Sequence, residues 1–579
     1  MALCRVKPDL PVFQFRIIHY MALRGYVHMA KFLLTENDLT KVFRKIPDGS
    51  VVAISGFNIS TAPEYLLLRL YDTFLKYGHP RHLFIESDSL PGSPGRGIDK
   101  VCSQIEEEKH YNFLKGILMP FLGWSPALQK LVLDERIEGY TLSIGTMAHL
   151  LREISAGRPG LITKVGVGTF LDSRQDGGTL NELARKVGRV SVENMVIHGK
   201  DYLLISAPKP DVALVRGTTA DEMGNISMEK EGIYGTVFTI TQAAKAGPDR
   251  GMTFCQVERV ARLGTINPKA VHIPGPLIDY VAVSPAEYAW QTGSIEFDPR
   301  ISGGLIPPLG HRHHEKIELD ARTVIERRAA IEMAKTVKEK KRSIIANFGV
   351  GIPSEIPSVL ESERISDYVY STVEAGPWGG LPLTGNDFGV SIGPFAIIPL
   401  PDQFTLYEGG MIDISILGFM QVDAEGNVNP SILPGRIPGP GGFPAITSGS
   451  PSIVFTGQFS AGKPDIRVQN GKISIARDGE TTKFVKEVYK IFFRGEVGIK
   501  EKKDVTFVTE RAVFKLGSHG IVLTEIAPGV DMDRDILERM EFKPKMSSEP
   551  QAMDPAIFLP EKLGLSSYVS GIRKAGFEE

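Results

Sequence analysis

At 579 residues the chain is too long for a single hydrophobic core and divides into more than one domain. A formal net charge of −2 supplies no basic field for nucleic acid or a membrane surface, and no apolar run approaches the ~20 residues of a membrane span. Cys4, Cys102 and Cys255 are too few for a disulfide framework and lack metal-finger spacing, which points to a reducing cytoplasm.

Residues 1–28 carry Arg5, Lys7, Arg16 and Arg24 among broken apolar stretches, so they read as an extension outside the core, with Met29 opening the fold. Thr35 is placed to cap a short helix. SVVAI (50–54) predicts a strand, APEYLLLRLYDTFLKYG (62–78) an amphipathic helix, and HLFIES (82–87) the next strand. This βαβ unit turns a helix N-terminus toward the end of its first strand. PGSPGRGIDK (91–100) reads as a loop. Arg96 there, and Arg174 beside Gly177 and Gly178, either close turns or hold phosphate. Strand- and turn-like runs follow in YTLSIG (140–145), KVGVGTFLD (164–172), DYLLIS (201–206) and DVALVRG (211–217). A helix-like patch and a strand ending at Val283 follow within 252–283. FDPRISGGLIPPLGHRHHEK (297–316) shifts composition and reads as part of a linker over 297–319; its HRHH (311–314) matches no common zinc spacing.

After a helix over 320–342 the pattern restarts. SIIANFG (343–349) repeats SVVAISG (50–56), and DISILGFMQVDAEGNVN (413–429) aligns without gaps to DVALVRGTTADEMGNIS (211–227). Asp, Asp, Gly and Asn coincide at 211/413, 221/423, 224/426 and 225/427. Two matches in one order imply two similar open α/β lobes, 29–296 and 320–545, with a cleft between them and a polar tail from 546. ISDYVY (365–370) predicts a strand leading into STVEAGPWGG (371–380). Glu374 then stands just past a strand end, where α/β proteins hold ligands. A carboxylate there is either a solvated surface group or a nucleophile. Gly439, Gly441 and Gly442 precede a buried segment, and paired glycines let backbone N–H groups approach an oxyanion.

Four stretches together, PDGSVVAISGFNISTAPE (47–64), ANFGVGIPSEI (346–356), TVEAGPWGG (372–380) and GPGGF (439–443) with VFTGQFSAG behind it, resemble the family I CoA-transferases. The similarity is to single-chain propionate/acetate enzymes in which two subunits are fused, and it runs from about Met29 to Pro544. The chain departs from the family pattern at Ser55 and Thr61, where glycines are usual, and at Tyr65, where some members carry Asn. The resemblance implies the NagB/RpiA/CoA-transferase-like fold and ping-pong transfer of CoA between a short-chain acyl-CoA and a carboxylate such as acetate or propionate. It implies Glu374 as the nucleophile and the amides of Gly441 and Gly442 as an oxyanion hole. Asn347, Gly349, Gly351, Pro353, Asn427, Gly439 and Lys463 are implied on the CoA and substrate side, with Asn427 equally a turn residue, and Trp378 is either a water shield or a packing group. No metal and no tightly bound cofactor are implied, coenzyme A being a substrate, and a cytoplasmic homodimer or homotetramer is expected. An acyl-CoA hydrolase on the same scaffold stays open. A sugar-phosphate isomerase fits the duplicated chain poorly, and a ligand sensor lacks any signalling segment.

Overall fold

The computed structural model describes residues 31–33, 35–305 and 319–572. The expected extension 1–28 and the HRHH stretch lie outside these residues. Thr35 caps the helix Glu36–Phe43, its hydroxyl accepting from the Asp38 amide.

The first lobe is built on an eight-stranded sheet. Its strands are β1 (Lys31–Leu33), β2 (Val51–Ile54), β3 (Leu83–Glu86), β4 (Leu114–Leu118), β5 (Glu138–Tyr140), β6 (Val212–Arg216), β7 (Met252–Val257) and β8 (Tyr280–Val283). They lie in the order β1-β8-β7-β6-β2-β3-β4-β5, all parallel. The sheet is covered by helices such as Glu64–Tyr77 and Ile144–Ser155, and its central strands β2 and β6 are buried along their whole length and mostly aliphatic because both faces are covered. The second lobe repeats the plan after the long helix Ala321–Lys340. Its parallel centre runs β10 (Val369–Thr372), β9 (Ile344–Phe348), β11 (Ile414–Gly418), β12 (Ser452–Thr456) and β13 (Asp504–Val508). Antiparallel strands β14 (Ala512–Gly517) and β15 (Gly520–Ile526) extend one side, and β16 (Lys545–Ala552) closes it in parallel with β15.

The internal repeat is a structural repeat. Asp211 and Asp413 each accept a hydrogen bond from the start of the neighbouring central strand, at Val51 N (2.9 Å) and Ile345 N (3.0 Å). Asp221 and Asp423 each accept from an amide four residues on, Asn225 (2.9 Å) and Asn427 (3.0 Å). Short polar side chains thereby bond their own turn.

Four expectations are corrected. Residues 366–368 form a 3-10 turn and the strand begins only at Val369. The stretch 91–100 is a two-stranded turn followed by the helix Ile98–Glu108. The helix-like patch in 252–283 is short strands and single 3-10 turns, since β-branched and aromatic residues dominate β7 and β8. The segment from 546 is no separate tail. It completes β16, and Ile557, Phe558, Leu565 and Val569 are buried in the same core as Met333 and Val337 of the long helix.

Candidate active site

The turn after β10 carries Glu374. Gly376 N donates to the Val373 carbonyl (2.9 Å) and Val373 N to that of Pro377 (3.0 Å). Gly376 has φ +123°, and a Cβ there would run into the Ile398 carbonyl, so only glycine fits. Below the turn, Asn347 Nδ2 donates to Tyr407 Oη (3.0 Å), and the Tyr407 hydroxyl donates to Thr372 Oγ1 (2.9 Å). This buried network props the strand end that presents Glu374.

Glu374 is 7% exposed and has no hydrogen-bond partner among the described residues. Burial pushes its pKa up to about 7, because the ionised form loses solvation and gains nothing in exchange. It projects into a cavity of about 270 Å³ between the lobes. The second lobe supplies Gly349, Leu417, Phe419 and the loop Gly439–Phe443. The first lobe supplies Phe57, Asn58, Ser89, Phe121, Trp124 and Ile144.

Gly442 is the closest approach. A Cβ on it would stand 2.5 Å from Glu374 Oε2, although its φ of −82° suits any residue. Its N–H has no acceptor among the described residues. Gly441 differs from expectation: its N–H donates to the Pro120 carbonyl (2.9 Å), so it is not free to hold an oxyanion. That bond is one of several that stitch this loop to the first lobe. The Gly441 carbonyl accepts from Ile144 N (3.0 Å), the Pro438 carbonyl from Leu122 N (2.7 Å), and Gln129 Oε1 from Ile437 N (3.0 Å).

Of the remaining expected residues, Gly349 and Gly439 lie on the cavity wall, whereas Asn347 is fully buried beneath it. Gly351 caps the helix Ile352–Ser362 with φ +91°, and Pro353 is buried in its first turn; neither lines the cavity. Asn427 holds a turn and does not line the cavity. Its Nδ2 donates to Asp423 (2.9 Å) and its Oδ1 accepts from Gly495 N (3.0 Å), as Asn225 Oδ1 accepts from Gly275 N (2.8 Å) in the other lobe. Lys463 is exposed at φ +58° and lies off the cavity. Trp378 donates to Gln403 Oε1 (2.7 Å) and packs on Phe395, away from the cavity wall. Arg96 pairs with Glu64 (2.5 Å) and Arg174 with Asp172 (2.7 Å), which answers their charge without phosphate. Among the described residues no cluster of His, Cys, Asp and Glu could hold a metal, and no helix is long and apolar enough to cross a membrane.

The first-lobe wall was missed in the sequence. GFN (56–58) and FLGW (121–124) follow strands β2 and β4, and their glycine-aromatic pattern at strand ends was the available signal.

A buried carboxyl in a mostly apolar cleft between two parallel-sheet lobes is the kind of site where α/β enzymes hold small-molecule substrates. Residues 37–284 match the family described as Coenzyme A transferase. The chain is 36% identical over 550 residues to a caffeate CoA-transferase of Acetobacterium woodii, covering 93% of this chain and 99% of that protein. It is 35% identical over 523 residues to the acetate CoA-transferase YdiF of Escherichia coli K12, covering 90% and 94%. The structure of E. coli O157:H7 YdiF as a thioester complex with CoA matches with a TM-score of 0.82 and 32% identity, over 93% of this chain and 97% of that one. The chain belongs to the coenzyme A transferase family and is a CoA-transferase.

Proposed function

We propose that the protein moves CoA between a short-chain acyl-CoA and a free carboxylate, such as acetate or propionate, through a glutamyl-CoA thioester at Glu374. The relatives named above act on caffeate and acetate, so the carboxylate partner is drawn from the same general class. The observation that carries the reading is Glu374 itself, buried, unpaired and close against Gly442 in the inter-lobe cavity.

The chemistry follows from that placement. A Glu374 oxygen attacks the acyl carbonyl carbon; the C–S bond breaks and CoA leaves as thiolate, giving a mixed anhydride. The thiolate attacks the Glu374 carbonyl, forming the glutamyl thioester and freeing the first acid as its carboxylate. A second carboxylate runs both steps in reverse. The elevated pKa serves the first step, since a poorly solvated carboxylate is the stronger nucleophile. The Gly442 N–H, without an internal acceptor, is the available donor to the oxyanion; removing one such donor typically costs about 3–4 kcal/mol. The apolar walls exclude the water that would hydrolyse the anhydride. Both lobes, 29–296 and the second lobe with its C-terminal strand, act as one unit in this scheme, in the cytoplasm and as a homo-oligomer. Asn347 acts as a positioning residue through Tyr407 and Thr372.

The experiment is to mix the full chain with acyl-CoA alone. It gains the mass of CoA less one water on the peptide spanning 371–380, borohydride locks the loss of activity, and acetate discharges the adduct. An adduct on another peptide, or none, overturns the assignment. A hydrolase would instead release free thiol steadily without any acceptor.

A further inference from the structure

Six aromatic rings face the cavity: Phe57, Phe121, Trp124, Phe388, Phe419 and Phe443. Phe57 and Phe388 are themselves buried and lie with ring centroids 6.1 Å apart, and the Asn58 amide donates to the Phe388 carbonyl (3.1 Å), so this part of the wall is built rather than collapsed. Ile144 and Leu417 add branched aliphatic surface. The only charged side chain on the wall is Glu374, and no cation lines it among the described residues. An acetyl group would bring a single methyl to these rings and leave most of their faces without a packing partner. A second carboxylate on the acid would be buried beside Glu374 with nothing to neutralise it.

We propose that the acyl site is built for a bulky, uncharged acid, an aryl or branched acyl group of about six to ten carbons, at the lower end of what a pocket of this class encloses. Small acids enter the same site and leave it part-filled. Dicarboxylic acids are rejected by the missing cation. This rests on the transferase reading of Glu374 and adds the substrate class.

The test uses the wild-type chain with propionyl-CoA as fixed donor and acetate, 3-phenylpropanoate, 4-methylpentanoate and succinate as acceptors, each product CoA ester being separated and quantified. Phenylpropanoate and methylpentanoate should exceed acetate in kcat/KM by at least about ten-fold, the scale on which apolar pockets discriminate by added carbon, and succinate should fall at least about a hundred-fold below them. Ile144→Phe narrows the cavity, and the phenylpropanoate-to-acetate ratio should then drop by about ten-fold or more. That ratio is read within one protein, so a general loss of folded enzyme does not mimic it. Acetate equal to or better than both large acids, succinate accepted at their rate, or an unmoved ratio in Ile144→Phe overturns the substrate class while the transferase reading stands. If no acid in the set takes CoA, the transferase reading falls and this inference with it.

Discussion

Glu374 is a carboxyl whose surroundings oppose its ionisation, and two consequences follow at the residue scale. Attack requires the carboxylate, so kcat/KM for acyl-CoA should rise with pH through about 7 and level off above it; a profile flat from pH 5 to 8 contradicts the burial argument. The stability effect has the opposite sense. The native state keeps a proton between pH 4.5 and about 7 that the unfolded chain has lost, so stability falls as pH rises across that interval, by up to about 3 kcal/mol. Glu374→Gln removes this penalty. It should be more resistant to urea than wild type at pH 8, equal to it near pH 4.5, and below about 1% of wild-type activity. Gly442→Val puts a side chain against Glu374 Oε2 and Phe404 at an ordinary backbone conformation, so the crowding falls on the site itself, and circular dichroism and the urea midpoint are read beside the rate. Adduct formation should slow far more than CoA binding weakens, and a normal rate would remove Gly442 from the site.

At the scale of the element, the loop after β2 is informative. Thr61 holds φ +57°, its hydroxyl is buried without a partner among the described residues, and Ser55 Oγ donates to its carbonyl (2.8 Å). A left-handed conformation costs an L-residue about 1–2 kcal/mol, and the flexibility of unfolded glycine returns part of that. Thr61→Gly should therefore raise the urea midpoint slightly, and a lowered midpoint would show that the Thr methyl packs for more than the backbone costs. This loop also marks what could be read from the sequence. The strands, the duplication and the Glu374 turn were legible because aliphatic runs, repeated Asp-x-x-Gly-Asn spacing and Gly-Pro-Trp-Gly-Gly are local signals. Asn427 reads either way in the sequence because a motif residue and a turn residue look alike until Gly495, 68 positions on, is seen donating to it. Gly441 misled, since its acceptor Pro120 comes from the other lobe. The first-lobe wall depends on how two sheets face one another, which no local pattern encodes.

In the whole molecule the loop that carries Gly442 is one of several places where the two lobes are joined. Gln129 holds two backbones at once, accepting from Ile437 N and donating through Nε2 to the Leu122 carbonyl (3.1 Å). Gln129→Leu should slow adduct formation by about ten-fold or more, because reacting groups displaced by an ångström lose that much and more. Circular dichroism should be unchanged, and Gln129→Glu, which keeps the acceptor, should recover part of the rate. An unaffected rate in Gln129→Leu would show that the loop holds its position without the first lobe.

Val51 and Ile345 hold equivalent places, each donating to the Asp that opens the next central strand, and they pair with Phe84 and Tyr370. Counting four residues onward from Phe84 and from Tyr370 places Asp88 as the counterpart of Glu374, and Asp88 is buried without lining the cavity. Both halves thus carry a buried carboxyl at this position, and only the one at Glu374 reaches the cavity. Active-site titration should accordingly end at a single CoA bound covalently per chain, whatever the number of subunits assembled and however large the excess of thioester.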